Sequence, residues 1–83
     1  MLHEIKLRED FIEPILKGEK TFEVRINDRG YQKGDLIKFK SITRSGLPCR
    51  HKIDNHTYEI TYVLSGYGIQ EGYVVFGIKE KKK

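Results

Sequence analysis

From Thr21 to Asn27 apolar and polar side chains alternate without a break, Phe22, Val24 and Ile26 against Thr21, Glu23, Arg25 and Asn27. A helix does not fit that period, because helical side chains share a face every three or four residues and strand side chains every two. The same rhythm runs through Leu2–Leu7. It returns in Leu36–Ile42, where Ile37 and Phe39 stand against Lys38 and Lys40. His56–Leu64 and Tyr73–Ile78 are rich in β-branched and tyrosine residues, which suit a pleated, half-buried surface. Turn signals separate these runs: Asn27-Asp28-Arg29-Gly30, Lys33-Gly34-Asp35, Ser45-Gly46-Leu47-Pro48, and the glycines Gly66, Gly68 and Gly72.

One segment departs from the rhythm. Phe11, Ile12, Ile15 and Leu16 recur at helical spacing, Asp10 and Glu13 resemble a capping pair, and Gly18 suits a helix C-terminus. Pro14 falls near the first turn, where a missing N–H costs least. The pattern predicts a short helix over residues 10–17. About five or six strands with one helix predict a mainly β (α+β) domain, a small β-barrel, since closure removes the exposed edges of a short sheet. The expected core is Phe22, Val24, Ile26, Ile37, Phe39, Ile60 and Val75, with Phe11 and Ile15 from the helix. Residues 1–78 form the expected domain and residues 79–83 a basic C-terminal tail.

Composition narrows the functional classes. Cys49 is the single cysteine of the 83 residues, so no intrachain disulfide can form, and small secreted domains usually need several. Neither a signal-like start nor an apolar run of roughly 18 residues is present, so a cytoplasmic chain with no membrane partner is expected. The net charge is +4, but Lys79, Lys81, Lys82 and Lys83 against Glu80 carry +3 of it. Charge alone therefore does not name a nucleic-acid partner. Cys49-x-His51 and His56 fit no usual zinc spacing, and Gly66-x-Gly68-x-x-x-Gly72 misses the dinucleotide fingerprint by one residue. Neither a metal site nor a cofactor is expected. Nothing in the sequence sets an oligomeric state.

Chemistry concentrates between Gly18 and Arg29. Lys20 stands at the helix–strand junction, and Glu23 and Arg25 share one face of the next strand, roughly 6.5–7 Å apart. A guanidinium fork beside a carboxylate can hold an anionic or amide-bearing ligand. The same residues also read as an exposed charge ladder worth about 0–1 kcal/mol per pair. Asn27 and Asp28 suit turn chemistry, which leaves Arg29 as the better phosphate contact. Tyr67 and Tyr73, around the glycine loop, offer rings for base stacking or for packing.

The order Gly18-x-Lys20-Thr21-x-Glu23-x-Arg25 resembles the signature of the ASCH family of the PUA-like superfamily. Asn27-Asp28-Arg29, Gly34-Asp35 and Glu71-Gly72-Tyr73-Val74-Val75 resemble its DUF3850 branch, over about His3 to Lys79. The resemblance implies a β-barrel with a helix beside it and a cleft between them lined by Lys20, Glu23 and Arg25. It implies RNA or a nucleotide-like ligand as partner, and the expected contacts are Lys20, Glu23, Arg25, Asn27, Arg29 and Tyr73. Some ASCH members are amidohydrolases that remove the acetyl group of N4-acetylcytidine with the signature lysine as proposed nucleophile, a threonine and a downstream carboxylate. Under that alternative Lys20 and Glu23 are the catalytic candidates. Glu23 stands where that pattern has threonine, and Glu59 or Glu71 would supply the carboxylate.

Overall fold

The computed structural model describes residues 1–82, and Lys83, the end of the expected basic tail, lies outside the described residues. Its five strands are β1 (Leu2–Arg8), β2 (Phe22–Ile26), β3 (Leu36–Ile42), β4 (Thr57–Leu64) and β5 (Tyr73–Glu80). They form one sheet in the order β1-β3-β4-β5-β2, with β1 parallel to β3 and the other neighbours antiparallel. The sheet curls into a half-barrel, which brings its two edges, β1 and β2, toward each other. No backbone ladder joins them. Instead Arg25 and Arg29 donate across the seam to the carbonyls of Lys6 and Glu4 on β1, at 2.5 and 2.8 Å. The mainly β architecture expected from the alternation is present, and side chains bridge the gap that a closed barrel would fill with a ladder.

A short 3₁₀ turn, Glu9–Phe11, leads into the single helix α1 (Ile12–Leu16). Gly18 ends it at φ +76°, a conformation that costs glycine little, and its N–H donates to Ile15 O at 3.1 Å. The expected Asp10–Glu13 capping pair does not form. Asp10 binds Arg8 and Arg44 at 3.1 and 2.9 Å, and neither the turn nor the helix receives a side-chain cap. No helix among the described residues is long and apolar enough to cross a membrane.

The inner face is lined by Ile5 and Leu7 of β1, Ile37 and Phe39 of β3, Tyr58 and Ile60 of β4, and Val74, Phe76 and Ile78 of β5. Ile12 and Ile15 close it from α1, and Tyr31 and Ile53 enter from the connections. Five residues of the expected core lie elsewhere. Phe22, Val24 and Ile26 are 43%, 53% and 55% exposed, while Glu23 between them is buried. Val75 pairs with Val24 across the ladder and shares its outward face, so Val74 is the buried neighbour. Phe11, expected inside, is 41% exposed because the helix buries Ile12 and Ile15. The reversal of β2 has a physical basis: it is an edge strand, and its inward side chains meet Lys20 and the Lys6 carbonyl of β1, which satisfy a buried carboxylate and its guanidinium partner.

Strand β5 continues to Glu80, two residues into the segment read as a tail, with Lys79 opposite Glu59 and Glu80 opposite Tyr58. A bulge between Ile60 and Tyr62 shifts the β4–β5 register. Opposite it, a Cβ at Gly77 would collide with Thr61 Oγ1, so glycine is the residue that fits.

Candidate functional site

The site begins where α1 ends. Gly18 turns the chain, Lys20 follows it, and β2 then carries Glu23 and Arg25 on its inner face. Glu23 is only 3% exposed, yet its carboxylate is satisfied from both sides. Lys20 Nζ donates to Oε2, and Arg25 donates to Oε1 through Nε at 3.0 Å and Nη2 at 2.8 Å. Two cations share one buried anion, so the cluster keeps an excess positive charge. Burying a carboxylate is costly unless it is paired and hydrogen-bonded, and this geometry meets both conditions.

Lys20 is held by more than Glu23. Its ammonium also donates to Phe22 O at 2.9 Å and lies 5.0 and 5.2 Å from the ring centres of Phe11 and Phe22. Those distances fall within cation–π range. Around this group opens a cleft of ≈ 630 Å³ between β1, β2 and the 3₁₀ turn, with Lys6, Arg8, Phe11 and Phe22 on its walls.

Lys20, Glu23 and Arg25 therefore come together in one cleft. Arg29 and Tyr73 line an adjoining cleft of ≈ 600 Å³ on the other side of Arg25. Asn27 lines neither cleft: its Oδ1 accepts from Tyr31 N at 3.1 Å, and its own N–H donates to Gly72 O at 2.9 Å. Tyr67 is 92% exposed in the glycine loop and lines neither cleft. The two carboxylates considered for hydrolysis also stand apart, since Glu59 pairs with Lys81 at 3.6 Å and Glu71 is exposed before β5. Sequence reasoning missed the roles of Phe11 and Phe22. Their apolar character assigned them to the core, although their places beside Lys20 in the chain carried the signal.

The remaining titratable groups do local work. His51 caps the Lys52–Asn55 turn by accepting from Ile53 N at 3.1 Å, and His56 bonds Glu80 at 2.6 Å. Partial burial, with Glu9 and Asp54 nearby, pushes the Cys49 thiol above its ordinary value, away from the thiolate that a nucleophile needs. Burial likewise raises the phenol of Tyr31, against the pull of Arg29 and Arg25.

A curled five-stranded sheet with one helix and a charged cleft at its seam defines the class: a small half-barrel domain. The family model for a domain of unknown function, DUF3850, matches residues 2–78, and the chain belongs to that family. Among solved structures, the hypothetical protein PH0355 matches at TM-score 0.66 and 18% identity, covering 98% of this chain and 100% of that one. At that identity the likeness shows a shared fold. No curated protein matches the chain.

Proposed function

We propose that the domain binds RNA or a nucleotide-like ligand in the cleft around Lys20, Glu23 and Arg25, as a PUA-like ASCH domain. The observation that carries the reading is the buried Glu23 carboxylate shared by two cations on the floor of an aromatic-walled cleft. A charge ladder on a solvated strand face has no reason to bury its anion. A ligand site does, because a rigidly held guanidinium and ammonium offer donors whose positions are set in advance. Glu23 orients both cations and, through the one acceptor site left on Oε2, can accept an amide or amino N–H of a base. A cytoplasmic location belongs with this reading, since one cysteine without a disulfide suits a reducing compartment.

The test is titration of wild type, Lys20→Ala, Arg25→Ala and Lys20→Arg with cytidine and uridine 5′-monophosphates, followed by NMR, with circular dichroism to establish folding. Each alanine variant should lose about 1–3 kcal/mol of binding as charge-assisted contacts go, and Lys20→Arg should keep much of the affinity. Acetate release from N4-acetylcytidine, measured alongside, separates binder from enzyme. Turnover that disappears in Lys20→Arg would replace the binding reading with the hydrolase one, because a guanidinium cannot attack a carbonyl.

A further inference from the structure

We propose that the seam between β1 and β2 is a track for an extended single-stranded nucleic acid, running from Lys20 past Arg25 to Arg29, Lys40 and Tyr73. The inference rests on the nucleotide-binding reading above and extends it from one cleft to a polymer path. Length is the first argument. The two clefts, ≈ 630 and ≈ 600 Å³, share Lys6, Val24 and Arg25 and so adjoin along β2. Either one alone has the size of a small-molecule site, roughly 300–1,000 Å³. End to end they follow β2 from Phe22 to Ile26, roughly 13 Å at strand rise, with further lining at both ends. A mononucleotide would fill one end of such a path.

Hydrogen bonding is the second argument. Thr21 O bonds Ile78 N of β5 and Asn27 N bonds Gly72 O just before it, so the odd-numbered residues of β2 face that neighbour, and the backbone N–H and C=O groups of Val24 and Ile26 face the seam. On β1 the carbonyls of Glu4 and Lys6 point into the seam, and their N–H groups point the same way. Arg25 and Arg29 already occupy those two carbonyls. Two of the β1 acceptors on the seam are thereby covered, and the edge N–H groups lack a ladder partner among the described residues. A sheet edge in that state is a concavity suited to an anion. The same two side chains, Arg25 and Arg29, cross the seam where an inserted peptide strand would have to lie, which disfavours one.

Stacking surface is the third argument. Phe22, Val24 and Ile26 stand along the outer wall at 43%, 53% and 55% exposure, with Tyr73 beside Ile26 across the ladder. Lys6, Arg8 and Lys40 stand near them on the β1–β3 side, with Glu4 among them 3.8 Å from Lys40 and Asp10 3.1 Å from Arg8. A wall with more cations than anions beside an apolar and aromatic one is the arrangement that binds single strands without strong sequence preference, phosphates on one side and base faces on the other.

The experiment is a length series at fixed salt: uridine 5′-monophosphate and oligouridylates of two, four and eight nucleotides, titrated against wild type and Lys40→Ala. Oligothymidylate of four nucleotides and polyglutamate serve as further arms. Affinity should rise at least about tenfold from the monomer to the four-mer. Lys40→Ala should weaken four-mer binding by about three- to tenfold and reduce the salt slope by about 0.7, one phosphate's share for a single strand. Equal affinity for the DNA four-mer would uphold the track and remove any role for the 2′-hydroxyl. Monomer and four-mer binding equally would overturn the track and leave the nucleotide reading standing. No binding of either would overturn both. Polyglutamate binding more tightly than the eight-mer would overturn the track in favour of an acidic protein segment.

Discussion

On β3, Ile37 and Phe39 turn into the barrel and Lys38 and Lys40 turn away from it. On β2, one of the two edges of the sheet, Phe22, Val24 and Ile26 turn out and Glu23 and Arg25 turn in. The two strands carry nearly the same alternation and bury opposite faces. β3 has a hydrogen-bonded neighbour on each side, and its Ile37 and Phe39 belong to the apolar core. β2 has a neighbour on one side and the seam on the other, where Lys20 and the Lys6 carbonyl of β1 meet its charged groups. An inward charge is tolerated at an edge where its partners are supplied, and local pattern gives way to the needs of a site.

The sharpest test of that contrast is Phe39→Ala, which leaves a cavity in the fully enclosed part of the barrel. It should cost about 3–5 kcal/mol in urea unfolding, enough to endanger a domain of this size. A cost under 1 kcal/mol would mean that the β3 face is no more enclosed than the β2 face.

Glu23→Ala comes next. It strands Lys20 and Arg25 without their shared anion, and about 3 kcal/mol is expected, the low end for breaking a buried pair because both cations still reach water. A variant as stable as wild type would make the inward charges of β2 dispensable to the fold.

A smaller, pH-dependent effect belongs to the β1 end of the sheet. Asp35 accepts from buried His3 at 2.8 Å, and that bond, together with those from Gln32 N–H and the N-terminal ammonium, holds its carboxyl below the ordinary value. A carboxyl depressed in the folded state stabilises fully above its unfolded pKa of about 3.9, and the contribution is lost as pH falls through the lower folded value. Thermal unfolding of wild type against Asp35→Asn should therefore show a constant wild-type advantage from about pH 5 to 6 that shrinks on acidification below about pH 4. An advantage that grew toward acid would reverse the assignment.

The smallest effect should come from Val24→Ala. A half-exposed side chain on the outer face should change stability by less than about 0.5 kcal/mol. A loss near 2 kcal/mol would put Val24 inside and restore the faces expected from the sequence. That measurement bears most directly on the orientation of the candidate site.

Much of the architecture was readable in the chain. The bounds of β3, the start of β5, and the helix ending at Gly18 follow from period, turn residues and glycine placement, because these depend on neighbours a few residues away. The proximity of Lys20, Glu23 and Arg25 was readable for the same reason, since a helix end and a following strand keep residues this near in sequence near in space. Alternation states that a strand has two faces and is silent on which one is buried, so the reversal of β2 depended on what lies across the seam. Ile53 and Tyr31 joined the core from irregular segments that carry no period. Lys6, Arg8 and Lys40 reached the walls of the clefts because the sheet curls and brings β1, first in its order, against β2, the last. Local periodicity set the elements, and only the curl of the sheet decided which faces and which distant residues make the site, because burial is a property of the neighbours and not of the residue itself.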